Sequence, residues 1–162
     1  MAAFTHPEFD AHEEVFFVQD PKTGLHAILA IHDSTLGPAF GGCRMHPYGS
    51  DFEALGDALR LSRAMTYKTA IIGANLGGGK AVILGDPYRQ KTKQLLLAMA
   101  RAVEKLGGRY IIADDVGTTV RDMDVMRTVT RYASGLGDQF GEPCPATACG
   151  VFQDRKSTRL NS

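Results

Sequence analysis

Three short stretches hold the residues whose types and spacing could do chemistry. LGGGKAVI, residues 76–83, sets Lys80 directly after three glycines and ahead of an apolar run. AMTYKTA, residues 64–70, carries a second lysine, Lys68. DDVGTT, residues 114–119, puts two adjacent acids, Asp114 and Asp115, before paired threonines. A glycine run ending in lysine has two chemical meanings. One is phosphate cradling, but that loop requires G-x-x-x-x-G-K-[ST] opening a helix. Here Ala74 stands at the first glycine position, and Ala81 follows the lysine, leaving no hydroxyl for a magnesium ion. The lysine also heads an apolar, strand-like run rather than a helix. The other meaning is a desolvated amine. Glycines clear room beside Lys80 for a small ligand, and apolar surroundings disfavour its charged form and lower its pKa. A second cation nearby lowers it further, and Lys68 is the candidate. On local sequence alone both lysines could equally snorkel to solvent, and Asp115 could equally be a helix cap.

The elements that must position these groups can be read from periodicity and punctuation. Residues 14–19 (EVFFVQ) and 25–32 (LHAILAIH) are apolar runs joined by DPKTG, which is turn chemistry, so an antiparallel hairpin is expected. Residues 37–45 (GPAFGGCRM) read as a glycine-rich strand edge where something approaches the backbone closely. Ser50 with Glu53 forms a capping box for a helix reaching about Tyr67, with Phe52, Leu55, Leu59 and Ser62 on one face. Lys80 opens a buried strand over 80–84, closed by Gly85, Asp86 and Pro87. Thr92 caps a helix whose Leu95, Leu96, Met99, Val103 and Leu106 repeat at helical spacing, and Gly107 and Gly108 end it. Residues 109–113 (RYIIA) form a strand, and Thr118 and Thr119 with Asp122 open another helix that turns Val120, Met123 and Met126 inward. Strands alternating with helices after Ser50 predict an α/β layered domain with a mixed, largely parallel sheet and at least one antiparallel member. Asp115 then falls just past a strand, where open α/β sheets border their ligand crevices.

Bulk properties bound the rest. The chain has 162 residues, enough for one domain, or one domain and a fragment of another. Eighteen basic and eighteen acidic residues give zero net charge, which argues against a nucleic-acid-binding surface. No apolar stretch is long enough to span a bilayer, and the opening MAAFTHPEFDAHEE lacks the apolar core of a secretory signal. Cys43, Cys144 and Cys149 are too few for a disulfide framework and have no zinc-ligand spacing with histidine. Free thiols in a reducing cytoplasm, and no metal, are therefore expected. The last nine residues, DRKSTRLNS, follow the apolar TACGVFQ without periodicity and back-translate in one frame into a common sequencing adapter. They are read as non-native and set aside, giving a native segment 1–153 and a tail 154–162.

Taken in order, TLGPAFGGCRM, SRAMTYKTA, NLGGGKAVILGDP, DDVGTTVRDMD and PATACGV resemble the leucine/phenylalanine/valine branch of the amino-acid dehydrogenase superfamily, and most of all its leucine dehydrogenases. The likeness runs across essentially all of residues 1–153. It implies a three-layer α/β/α amino-acid-binding and dimerisation domain, followed in the parent enzyme by a Rossmann domain that binds NAD and is absent from this chain. It implies reversible oxidative deamination of a branched-chain or apolar L-amino acid, leucine first, with a homo-oligomeric cytoplasmic enzyme as the setting. By the same resemblance Lys80 is the catalytic base and Asp115 its proton-transfer partner. Lys68 holds the substrate carboxylate, Gly41, Gly42 and Met65 line the substrate pocket, and Thr147 approaches the nicotinamide. The alternative reading is an amino-acid-binding module without catalysis, which would need Lys68 alone. No G-x-G-x-x-G follows a predicted strand, so this segment by itself is expected to lack dehydrogenase activity.

Overall fold

The computed structural model describes residues 3–134. Cys144, Thr147, Cys149 and the 153/154 boundary with its tail lie outside the described residues. Five strands, β1 (Glu14–Asp20), β2 (Leu25–Asp33), β3 (Ala39–His46), β4 (Gly77–Leu84) and β5 (Tyr110–Asp114), alternate after β3 with α1 (Asp51–Ile71), α2 (Lys93–Lys105) and α3 (Val120–Arg127). The strands form one sheet in the order β1-β2-β4-β3-β5. β1 and β2 make the expected hairpin, with Glu14 opposite Ile31. β2 is also antiparallel to β4, whereas β4, β3 and β5 are mutually parallel. β2 therefore runs against the other four strands, giving a mixed sheet with one antiparallel member.

The residue period of a strand assigns each face. Ile28, Ala30 and Val82 pack against Ala54, Leu55, Ala58 and Leu59 of α1. On the other face Leu29, Ile31, Cys43, Met45, Ala81 and Ile83 pack against Leu95, Met99 and Val103 of α2 and Met123 and Met126 of α3. The result is the three-layer α/β/α arrangement. Truncating a leucine as buried as Leu59 typically costs about 2–5 kcal/mol, so these two seams hold the layers to the sheet.

The helix punctuation forms as read. Thr92 accepts the Leu95 N–H, and Thr119 and Asp122 form a reciprocal capping box at α3. Gly107 and Gly108 follow α2 in left-handed backbone, φ 61° and 91°, where a residue without Cβ fits best. Ser50 accepts the Glu53 N–H, while the Glu53 carboxylate reaches back one residue further than a capping box requires, to the Gly49 N–H.

Four expectations need correcting. Residues 37–45 do not form an edge: β3 is hydrogen-bonded on both sides, to β4 and β5. α1 continues one turn past Tyr67, so Lys68 belongs to its last turn. Phe52 lies outside the buried face of α1 and is 42% exposed, its ring against His6 at 4.2 Å. Lastly, β4 begins at Gly77, so Lys80 sits inside the strand and does not open it. The glycines belong to the strand because other groups occupy the space that side chains would take. A Cβ at Gly78 would lie 2.1 Å from the Thr66 backbone nitrogen of α1, and one at Gly79 would lie 2.7 Å from the Tyr110 ring. No phosphate-type turn forms there. The three glycines are a flat stretch of strand on which a helix and an aromatic ring rest.

Candidate active site

Strand parity brings the site together. Counting in twos, Gly78, Lys80 and Val82 of β4, Gly42 and Arg44 of β3, and Ala113 with Asp115 beyond β5 all face α1. The β3–β5 register sets Gly42 beside Ala113, and the turn after β5 carries Asp115 back over β3. Lys80, 5% exposed, extends across β3 and donates from Nζ to Asp115 Oδ2 at 2.6 Å. Gly42 lies beneath this bridge. A Cβ there would lie 2.7 Å from Asp115 Cβ and 3.3 Å from Lys80 Nζ. The neighbour found against Lys80 is thus an anion, where the sequence pointed to a second cation.

Asp115 is fixed from several sides. Its N–H donates to Thr118 Oγ1 at 3.0 Å, and that hydroxyl in turn donates to the Cys43 carbonyl at 2.7 Å. Lys91 ties down the same turn by donating to the Gly117 carbonyl at 3.0 Å and to Asp122 at 2.7 Å. Burial pushes the Asp115 carboxyl up, but the charge and hydrogen bond of Lys80, the Val116 N–H and the Arg44 charge outweigh it. The group ends below the usual carboxylate range. Behind it, Cys43 is wholly buried, and burial pushes its thiol up to about 12, so it is packing rather than a nucleophile.

The structure also brings in residues that the sequence reading missed. Arg44 donates from Nε to Asp115 Oδ2 at 3.1 Å and from Nη1 to Asp57 Oδ2 at 2.8 Å. Asp57, on α1, also accepts from the Tyr48 hydroxyl at 2.7 Å and from Arg60 at 2.5 Å. Burial raises the Asp57 carboxyl, but Tyr48, Arg44 and Arg60 together bring it below its ordinary value. Arg44, Tyr48, Asp57 and Arg60 border a groove of about 610 Å³ beside this network. A signal for Arg44 was present in the sequence: it lies two residues after Gly42, hence on the same face.

The other expected residues are placed as follows. Lys68 is exposed in the last turn of α1, with no side-chain hydrogen bond or ion pair to the described residues. Residues 57, 61, 64 and 68 recur at helical spacing, so Lys68 shares the flank of α1 from which Asp57 meets β3. Met65 is half-buried on the same helix. Gly41 lies close to backbone: a Cβ there would lie 1.7 Å from the Gly79 carbonyl oxygen, and its own carbonyl accepts the Tyr110 hydroxyl at 2.7 Å.

The arrangement can bind a small zwitterion and move protons, with an exposed cation on α1 and a buried amine–carboxylate pair on the facing sheet. Comparison with known proteins decides the family. Residues 12–132 match the profile described as Glu/Leu/Phe/Val dehydrogenase, dimerisation domain. The chain belongs to the Glu/Leu/Phe/Val dehydrogenase family. Among its relatives is a leucine dehydrogenase of Geobacillus stearothermophilus, 52% identical over 97% of this chain and 44% of that protein. A valine dehydrogenase of Streptomyces virginiae is 47% identical over 94% of this chain and 44% of its own length. The solved L-tryptophan dehydrogenase of Nostoc punctiforme superposes with a TM-score of 0.74 at 47% identity, over 76% of this chain and 37% of that one. The chain thus spans under half the length of the dehydrogenases it matches. Its described residues are those of the dimerisation domain of the family, and among them no strand–glycine-loop–helix unit of the dinucleotide-binding type occurs.

Proposed function

We propose that this chain is the amino-acid-binding and proton-handling part of an NAD-dependent amino-acid dehydrogenase. Its substrate is a branched-chain or apolar L-amino acid, leucine first, converted reversibly to the 2-oxo acid and ammonia. The observation that carries the reading is the buried Lys80–Asp115 pair, bridging over Gly42, in a chain half identical to a leucine dehydrogenase. The described residues do not build a dinucleotide site, so the hydride acceptor belongs to the part of the enzyme beyond them, as does the expected role of Thr147.

The residues on this face supply the remaining steps. Lys68 fixes the substrate α-carboxylate as a point charge. Once the α-carbon has lost its hydride, water must add to the resulting iminium carbon; Lys80, having first passed its ammonium proton along the hydrogen bond to Asp115, takes the proton of that water at Nζ. Asp115, hydrogen-bonded to Nζ at 2.6 Å, passes protons to and from the substrate nitrogen. Gly42, bare of side chain, leaves the room in which the Lys80–Asp115 bridge lies across β3. Assembly into a homo-oligomer fits the edge strand β1, whose Phe17 is 64% exposed. Cytoplasmic residence fits the reduced Cys43.

The test is Lys80→Ala in the full-length enzyme. Turnover should fall by about 10²–10⁴-fold, the usual worth of proton-transfer catalysis, while isothermal titration still registers amino-acid binding. Turnover near wild type would defeat the assignment of the base.

A further inference from the structure

One oxygen of the pair carries more than the proposed chemistry uses. Asp115 Oδ2 accepts from Lys80 Nζ and also from Arg44 Nε, and the same guanidinium reaches Asp57 with Nη1. Lys80, Asp115, Arg44, Asp57 and Arg60 therefore alternate in charge in one continuous row from β4, across β3, to α1. We propose that Arg44 is a positioning residue that registers the Asp115 carboxylate to α1, and so holds the proton-transfer pair at a fixed offset from the substrate-binding lysine on that helix.

The inference rests on the function proposed above and deepens it. Asp115 stands on a turn, and the turn's own bonds, from Thr118 and Lys91, fix its backbone rather than its carboxylate. Beside the neighbouring Val116 N–H, the side chain is aimed by Lys80 from β4 and Arg44 from β3. A guanidinium is suited to this task because its planar fork presents two N–H groups in fixed directions, which an ammonium cannot do. Asp57 is in turn braced by the Tyr48 hydroxyl and Arg60, so the far end of the row is anchored to the helix. The ionisable groups on Asp115's own face are Lys80 from β4 and Arg44 from β3, with the Cys43 thiol of β3 and the buried Tyr110 phenol of β5 behind it through the sheet. α1 reaches it through Asp57 and Arg44. Of these, Lys80 and Arg44 favour the carboxylate form.

The experiment is steady-state kinetics of the full-length enzyme against pH with three variants. In Arg44→Gln, kcat should fall by about ten- to a hundredfold, the scale of a misplaced catalytic group, with KM for the amino acid little changed. The acid limb of its kcat profile should move to higher pH, because a cation favouring the Asp115 carboxylate is gone. Arg44→Lys keeps the charge without the fork. It should return the acid limb toward wild type while leaving kcat low. Asp57→Asn removes only the anchor on α1, and should lower kcat with the charge beside Asp115 still in place. If Arg44→Gln does not fold, the other two variants decide the matter alone. Variants with wild-type kcat and an unmoved limb, beside an inactive Lys80→Ala, would overturn the role of Arg44 and leave the proposed function standing. A change confined to KM would make Arg44 a substrate ligand and overturn its positioning role. An active Lys80→Ala would remove the proposed function, and this inference with it.

Discussion

Gly42→Ala puts the smallest possible group under the Lys80–Asp115 bridge. The backbone at Gly42 is open to any residue, so only space is at stake. The added carbon would lie 2.7 Å from Asp115 Cβ, 2.9 Å from the Asp114 carbonyl oxygen and 3.3 Å from Lys80 Nζ. Carbon atoms rest at about 3.5–4.0 Å, so the Asp115 side chain must retreat by about 1 Å. The Asp114 carbonyl is backbone at the end of β5 and cannot move independently of the sheet. Overpacking of this kind costs about 1–3 kcal/mol. At about 2–4 °C per kcal/mol for a domain of this size, the melting temperature should fall by roughly 2–12 °C. A retreat of about 1 Å by a catalytic group costs about 10²-fold in rate, so turnover should suffer far more than folding. The assay pairs thermal melts followed by circular dichroism with kcat/KM of the full-length enzyme for leucine. Turnover within about twofold of wild type would show that the pair does not need this floor, and the geometry proposed for the site would be wrong.

Three further outcomes are expected. Lys68→Ala should chiefly raise KM for the amino acid, and an unchanged KM would remove its role as carboxylate ligand. Thr119→Ala deletes the capping box of α3; it should lower stability by about 0.5–2 kcal/mol, read as a shifted denaturant midpoint, and an unmoved midpoint would mean the cap does not hold the helix. Asp57 has a folded-state pKa below its ordinary value. Its contribution to stability is therefore present above the unfolded carboxylate value of about 3.9 and disappears as pH falls through the folded one. Asp57→Asn should melt lower than wild type at pH 6, and the gap should narrow toward pH 3. A gap independent of pH would mean that ionisation of Asp57 is not its source.

Much of this was legible before any coordinates. The hairpin and the caps at Thr92 and Thr119 are written in local residue types, because turns and helix ends are satisfied by neighbours in sequence. The misreading of Gly77, Gly78 and Gly79 has a different origin. Glycine in a strand is disfavoured locally, and here the compensation comes from Thr66 and Tyr110, far away in the chain. The same distance hid β3 as an interior strand, since the order β4-β3-β5 is a property of the crossovers and not of any one segment. Lys80 and Asp115 were found by residue type and by resemblance, and their direct contact across 35 positions emerged only from the sheet. Arg44 needed both steps: the alternation on β3 gave its face, and the packing of α1 gave Asp57 as its partner.

Because α1 rests on main chain at Gly78, with the Thr66 nitrogen and hydroxyl both 2.1 Å from where a Cβ would stand, the strand offers no side chain there to serve as an adjustable shim. The backbones that carry Lys68 and Lys80 are in effect cast in one piece, their separation set by main-chain packing. A longer or bulkier substrate cannot be accommodated by trimming a residue at this contact. If the proposed function holds, specialisation toward one side chain over another must be carried by groups elsewhere around the cleft, while the part proposed to grip the common amino-acid head stays the same.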